Sequence, residues 1–165
     1  MRKILIAAGA LLALVPLAAG KAFAGGPPQH FTIHFHNETE TFDDVDPCNG
    51  NPATITLTYD GVAHVTVFDD GTGHFTETEH GTFTFDYDPP DGITDASGSF
   101  VEWDGGNGKF DDNGNLIGKG EMTFTLNGRG TYTDSGANFK FHNNAHVVTD
   151  ELGNVKLAFF KAHCN

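Results

Sequence analysis

From residue 29 onward, most segments of this chain alternate polar and apolar side chains with a period of two. In "HFTIHFHNETET" (residues 30–41), Phe31, Ile33 and Phe35 fall on one face of an extended chain. The same alternation returns in "ATITLTY", "GTFTFDY", "EMTFTLN" and "NFKF". A two-residue period is typical of half-buried β-strands, and no later segment shows the 3.6-residue period of an amphipathic helix. The pattern therefore predicts an all-β protein.

The alternation also predicts which side chains face the core. The expected core residues are Phe31, Ile33, Phe35, Ile55, Leu57, Tyr59, Phe83, Phe85, Tyr87, Met122, Phe124, Leu126, Phe139 and Phe141. In the first strand the opposite, solvent-facing side is expected to carry His30, Thr32, His34, His36, Glu38 and Glu40.

Gly-containing turns separate these segments and predict their connections. Asp70-Gly71, Asn113-Gly114 and Gly153-Asn154 are pairs that tolerate the positive φ of tight hairpins. The Pro-rich and Gly-rich stretches 43–52 and 88–97 exclude continued strand. The spacing predicts one domain over residues 25–165, a single antiparallel up-and-down barrel of about eight strands, with a β-sandwich as the alternative.

Residues 1–24 have the features of an export signal. Arg2 and Lys3 precede the apolar run "ILIAAGALLALVPLAA", and Ala22 to Ala24 form a small-x-small cleavage site. We therefore expect a secreted protein of the extracellular or cell-envelope space. No Cys stands directly after the cleavage site, as a lipoprotein signal would require, and no apolar segment lies near the C-terminus, so no membrane anchor is expected after cleavage.

The charge of the chain excludes some partners. Removal of the signal takes away three of the 9 basic residues and none of the 22 acidic ones, which leaves a net charge of 6 − 22 = −16. Nucleic acids and anionic lipids need clustered Lys and Arg, so neither is an expected partner. The expected partner is a small-molecule ligand or an extracellular protein, and the expected state is a monomer.

The only two cysteines, Cys48 and Cys164, are predicted to form a disulfide because export places them in an oxidising compartment. A loop of that length is worth about 4–5 kcal/mol in the chain-entropy model. With both thiols used, Cys-based zinc binding and thiol catalysis are not expected.

A weak internal repeat joins residues 59–75 and 141–157. Each contains an aromatic residue, then Ala-His-Val, then an Asp/Gly turn, with Ala63-His64-Val65 matching Ala145-His146-Val147. Either a duplicated strand–hairpin unit or chance convergence of hairpin composition explains it.

The "AHV…G" hairpins, the central "GSFVEW" segment and the ending "HCN", together with the signal, resemble a group of small exported β-proteins of Gram-positive bacteria. The resemblance covers most of the chain after the signal. It implies a closed or nearly closed antiparallel barrel and no assigned activity. In size the chain is more distantly similar to lipocalin, allene-oxide-cyclase and dirigent-type barrels. Lipocalins carry Gly-x-Trp near the first strand, whereas Trp103 lies mid-chain.

The histidines of the first strand raise the question of a metal site. His34 and His36, at i and i+2, share one face, and His-x-His is a known geometry for zinc or copper. A third ligand would have to come from another strand, with His64, His74, His142 and His146 as the candidates. A polar outer face that simply contains His is the competing interpretation, and no cofactor is expected.

Five residues are candidates for lining a ligand cavity. They are His64, His146, Tyr59, Trp103 and Glu102. His64 and His146 lie inside apolar β segments, and together with Tyr59 or Glu102 they would allow acid–base chemistry, since environment moves a His or carboxyl pKa toward neutrality. The 15 phenylalanines either fill the core or line an apolar cavity open at one mouth.

The sequence leads to three hypotheses. There is no Gly-x-Ser-x-Gly elbow and no phosphate loop, so no catalytic residue is assigned. The first hypothesis is an exported, non-catalytic barrel that binds a small apolar ligand or an extracellular partner. The second is an isomerase-like enzyme using cavity His and Glu, and the third is a metal-binding protein through His34 and His36.

Overall fold

A computed structural model describes residues 26–87, 95–110 and 116–165, and these residues form one antiparallel sheet. The strands are β1 (Gln29–Val45), β2 (Pro52–Val67), β3 (Thr72–Asp86), β4 (Ala96–Phe110), β5 (Leu116–Tyr132), β6 (Asn138–Thr149) and β7 (Val155–Cys164). The all-β prediction is confirmed. The export signal, the Asn113-Gly114 turn and most of segment 88–97 lie outside the described residues.

The strands are ordered β1-β2-β3-β4-β5-β6-β7, so each one pairs with its neighbours in the chain. β1 and β7 are the two edges and do not pair with each other, so the predicted closed barrel is not confirmed. The described residues form seven strands rather than about eight. In an up-and-down sheet an odd number of strands leaves the first and last strands parallel, so they cannot close by the antiparallel pairing used elsewhere.

The sheet is nevertheless curled, as contacts between side chains of distant strands on its inner face show. The ring of Phe83 on β3 packs against Phe139 and Phe141 on β6, with centroids 6.1 and 5.6 Å apart. Strands three positions apart in a flat sheet lie about 14 Å apart, so these contacts need strong curvature. Aromatic rings thus pack together at one end of the interior.

The same end is held by a disulfide and a buried carboxyl group. Cys48, in the β1–β2 loop, is bonded to Cys164 at the end of β7, with Cα atoms 5.4 Å apart, which confirms the predicted pairing. The fully buried side chain of Asp46 accepts hydrogen bonds from the Tyr87 hydroxyl at 2.5 Å and the Tyr132 hydroxyl at 3.1 Å. These contacts join the β1–β2 loop to the ends of β3, β5 and β7.

A β-bulge in β1 reverses the inside–outside pattern of its second half. The β1–β2 register shifts between Phe35 and Glu38, and Asn37 has a φ of 52°. Glu38 and Glu40 then lie opposite the inward-facing Tyr59 and Leu57, so the prediction that both acids share the face of the histidines was wrong. Glu40 is half-buried, whereas Glu38 is exposed to solvent as predicted. The reason is that an extra residue on one strand changes the parity of everything after it.

The two halves of the internal repeat form the same hairpin turn. Gly71 ends one and Gly153 the other, each with a φ of 79°. In each turn the glycine N–H donates to the carbonyl three positions earlier, at 3.1 and 2.9 Å. This equivalence of residues 59–75 and 141–157 is structural, and the duplication stays a hypothesis.

Candidate functional site

Four carboxyl groups occupy neighbouring positions on the inner face. We call Glu77, Glu79, Glu102 and Asp104 the carboxyl cluster. The β3–β4 register places Glu77 directly opposite Asp104 and Glu79 directly opposite Glu102. Directly opposed side chains on antiparallel strands point to the same face, with Cβ atoms about 5 Å apart. Two strands of strict alternation therefore bring four acids together.

The carboxyl cluster is removed from water. Glu77, Glu79 and Glu102 are 6%, 7% and 8% exposed. Every Lys and Arg of the described residues is exposed, so none of them is buried beside these carboxyls as a countercharge. Buried acids without a cation are costly when ionised, and the usual response is a raised pKa.

Burial is the first cause of raised pKa values throughout the cluster, and the neighbouring carboxyls add to it. Burial, together with the nearby Glu77 and Asp104 charges, raises the pKa of Glu79 to about 8. Burial and the Asp104 charge raise the pKa of Glu102 to about 10. Burial also raises the pKa of Asp104, to about 7, and that of Glu77. At neutral pH the cluster therefore holds protons that exposed acids would have lost.

The two acids of each strand also interact with each other. On β3 the interaction between the Glu77 and Glu79 side chains adds to the rise in the pKa of Glu79 and opposes that of Glu77. On β4 the interaction between Glu102 and Asp104 adds to the rise in the pKa of Glu102 and opposes that of Asp104. The two carboxyl groups of a strand therefore differ in their affinity for protons.

Among the residues that the structure describes, three buried acceptor atoms have no hydrogen-bond partner within the protein. They are Glu77 Oε1, Asp104 Oδ1 and Asn143 Oδ1. Asn143 lies on β6 and is 6% exposed. It is paired with Leu126 on β5, and Leu126 is paired on its other side with Glu102 on β4. Buried polar atoms in native proteins almost always have a partner, from the protein or from a bound molecule. These three atoms require donors.

The neighbouring strands add a hydroxyl and further acids. Tyr59 on β2 is 3% exposed, and burial followed by the charges of Glu79 and Glu40 raises its pKa. Burial also raises the pKa of Glu40. Between Tyr59 and Ala63 on β2 stands Gly61, where an added Cβ would come within 3.0 Å of Glu79 Cγ and 3.3 Å of the Phe35 ring. The backbone therefore lies close to the cluster on this side.

The structure separates the five predicted cavity residues. Tyr59 and Glu102 lie on the inner face, whereas His64, His146 and Trp103 lie on the outer face, which corrects the prediction for these three. The Nδ1 of His64 is 3.2 Å from Thr32 Oγ1 on β1, and that of His146 is 2.8 Å from Thr123 Oγ1 on β5. Trp103 is 44% exposed.

The physical reason is again parity. Ala63 and Ala145, one position before each histidine, are the buried residues and point inward. Each histidine must then point outward. Trp103 lies between the inward-facing Glu102 and Asp104 and is directed outward for the same reason.

His34 and His36 share the outer face as predicted, with ring centroids 6.4 Å apart. His36 has Asp60 as a polar partner, with Asp60 Oδ1 3.4 Å from His36 Nδ1. In the part of the chain that the structure describes, no group of three or more His, Cys, Asp or Glu is placed to hold a metal ion. Metal binding through these two histidines stays a prediction without a third ligand.

Glu77, Glu79 and Asp104 were not among the predicted site residues, although the sequence carries a signal for them. Glu77 and Glu79 have the same parity as Phe75 and Phe83 in "HFTETEHGTFTF", and Glu102 and Asp104 have that of Phe100. Acids in register with core phenylalanines are the signature of buried carboxyls. This parity is hard to recognise in a chain that contains so many other acidic residues.

Comparison of the chain with protein-family models, curated proteins and solved structures finds no significant match. Among the described residues no helix is both long and apolar enough to cross a membrane. The function is therefore inferred from the site.

Proposed function

We propose that this is an exported binding protein that holds a small organic cation, of the amine class, on the inner face of its curled sheet. The observation that carries the proposal is the buried carboxyl cluster with unpartnered acceptor atoms and no buried Lys or Arg among the described residues. An ammonium group is a donor with several N–H bonds, and it neutralises the charge that burial penalises.

The apolar part of such a ligand would contact the aromatic residues beside the cluster. On the inner face of β3, Phe75 precedes Glu77 and Phe83 follows Glu79, with Gly81 between Glu79 and Phe83. Aromatic side chains therefore flank the two acids on both sides. Aromatic faces attract cations as well as apolar groups. The earlier expectation of a purely apolar ligand is thereby refined to one with an apolar body and a cationic end.

The proposal includes a barrel left open between β1 and β7. The opening would admit the ligand, while the disulfide and the contacts of Asp46 hold the β1–β2 loop to the ends of β3, β5 and β7. The disulfide is compatible with the exported location that the proposal includes, because disulfides persist in oxidising compartments.

The experiment is titration of protein purified without a tag. Native mass spectrometry first identifies any co-purifying ligand. Calorimetry then compares phenethylamine with its neutral analogue 2-phenylethanol, on wild type, on the Glu77→Gln/Asp104→Asn variant and on Glu151→Gln, an acid in the exposed β6–β7 turn. We expect the amine alone to bind, with roughly tenfold or greater weakening in the cluster variant only.

Equal binding of amine and alcohol, or equal weakening in the Glu151→Gln control, would contradict the proposal. The first result would show a purely apolar site. The second would show attraction by the net negative charge of the whole protein.

An enzymatic function is the second candidate, and the different proton affinities of paired carboxyls support it. Glu102, with a pKa of about 10, would act as an acid, and Asp104, with a pKa of about 7, as a base. The outward-facing histidines take no part in this proposed enzymatic reaction. NMR of the bound ligand over time tests it, because conversion to an isomer would be visible and inert binding would not change the spectrum.

A further inference from the structure

The outer face carries a groove that the carboxyl cluster does not explain. It has a volume of about 450 Å³ and crosses β4, β5, β6 and the end of β7. Its lining includes Ser99, Val101, Arg129, Lys140, His142, His163 and Asn165, and the backbone of Asn165 is hydrogen-bonded to that of Lys140. In a protein with this large an excess of acids, the lining contains two cationic side chains, Arg129 and Lys140, and no Asp or Glu side chain.

The two cations are direct neighbours. Arg129 on β5 lies opposite Lys140 on β6. On its other side Arg129 lies opposite Ser99, to whose Oγ its Nε donates at 3.4 Å. No carboxylate of the described residues forms an ion pair with either cation. Like charges directly opposed on paired strands repel each other and destabilise the fold. An anion between Arg129 and Lys140 would offset this repulsion.

One wall of the groove is polar and fixed. His142 donates from Nδ1 to Asn127 Oδ1 at 2.6 Å, and Asn144 Nδ2 donates to His142 Nε2 at 2.7 Å. Both ring nitrogens are thereby used, so the orientation of the imidazole is fixed. His163 lies opposite on β7. The polar wall is therefore held in place before any ligand enters.

Another wall is apolar. Val101 on β4 is 52% exposed and lies one position from the buried ring of Phe100. An exposed valine beside an arginine suits a ligand that is apolar at one end and anionic at the other.

We infer that this groove binds an organic oxyanion, with its carboxylate, sulfate or phosphate group between Arg129 and Lys140 and its apolar part on Val101. The planar guanidinium of arginine is matched to the paired oxygens of such groups, and the lysine adds a point charge. The groove and the carboxyl cluster lie on opposite faces of the sheet, so this inference does not depend on the proposed function.

The test is calorimetric titration with phenyl phosphate, benzoate and the neutral benzyl alcohol. The variants are Arg129→Gln/Lys140→Gln and the matched control Lys109→Gln/Lys119→Gln, which removes the same charge from exposed positions outside the groove lining. We expect at least one anion to bind wild type and the groove variant to bind it roughly tenfold more weakly, with less than about twofold change in the control. The ratio of phenyl phosphate to benzoate affinity identifies the preferred anion.

Three results would overturn the inference. They are no binding of either anion to wild type, equal binding of benzyl alcohol, and equal weakening in both double variants. Circular dichroism and the melting temperature show that each variant is folded, and binding of the amine probe by the groove variant shows whether the inner face is intact.

Discussion

Glu79 and Glu102 occupy directly opposed positions on β3 and β4, and each residue exposes less than a tenth of its surface to solvent. Two acids so placed cannot both ionise at low cost, because each carries the penalty of lost hydration and the repulsion of the other. The proton is retained instead. Stability and binding should therefore both depend on pH in a way that exposed acids would not cause.

The first prediction concerns stability against pH. The pKa values of Glu79 and Glu102 in the folded protein, about 8 and about 10, lie above the ordinary value of 4.5. At pH values between the ordinary pKa and the raised ones, the folded state binds more protons than the unfolded state. The free energy of unfolding therefore falls as pH rises through this range. We expect a loss of the order of a few kcal/mol from pH 5 to pH 9, measured by denaturant unfolding.

The Glu79→Gln/Glu102→Gln variant should flatten this slope, because neutral amides have no proton to lose. Glu151→Gln is the control and should keep it. A wild-type stability that stays constant or rises from pH 5 to pH 9 would refute the buried cluster.

The second prediction concerns Asp46. Its carboxyl group accepts hydrogen bonds from Tyr87 and Tyr132 and from the backbone N–H of Cys48 at 2.6 Å. Asp46→Asn should lower the free energy of unfolding by about 2–3 kcal/mol, because bonds to a buried acceptor are lost and a donor is placed against hydroxyl groups. Chemical denaturation measures it.

A double-mutant cycle with Tyr87→Phe checks the cause of that loss. The two changes should be non-additive by more than about 0.5 kcal/mol, since they remove the same bond. Asp134→Asn, at an exposed position, should change stability by less than about 0.5 kcal/mol. Additive losses would show that Asp46 acts without Tyr87.

The third prediction concerns the disulfide. Replacing Cys48 and Cys164 by Ser should cost about 4–5 kcal/mol, because the bond closes a loop with a sequence separation of 116. All residues of β7 are exposed and this edge strand pairs only with β6, so β7 should lose amide-exchange protection before the other strands. Hydrogen exchange by NMR measures both effects. Unchanged protection of β7 would show that the bond does not hold the edge.

The fourth prediction concerns the bulge at Asn37. Its φ of 52° is adopted at low cost by Gly or Asn but not by β-branched residues. Asn37→Gly should therefore leave stability within about 0.5 kcal/mol of wild type, and Asn37→Val should cost about 1–2 kcal/mol. Thr39→Val, on the same strand beyond the bulge, serves as the control for adding valine. Equal stability of the two Asn37 variants would argue against the bulge.

Prediction from the sequence succeeded where the two-residue period was unbroken. Phe83 and Phe85 lie inward as expected, and Cys48 pairs with Cys164. It failed at the parity change in β1, although Phe35 and Phe42 are an odd number of positions apart and cannot share a face in a regular strand. An apolar neighbourhood does not fix the direction of His64 and His146, because the buried Ala63 and Ala145 occupy the inward positions beside them.

The order of polar and apolar residues alone determined that this chain forms long antiparallel strands with short turns, because side-chain direction in a strand follows position. Only the tertiary structure decided that the sheet stays open between β1 and β7. It also decided that acids on neighbouring strands lie together on the buried inner face. Register, curvature and burial arise from pairing between distant segments. The energy of a buried charge depends on those neighbours rather than on its place in the chain.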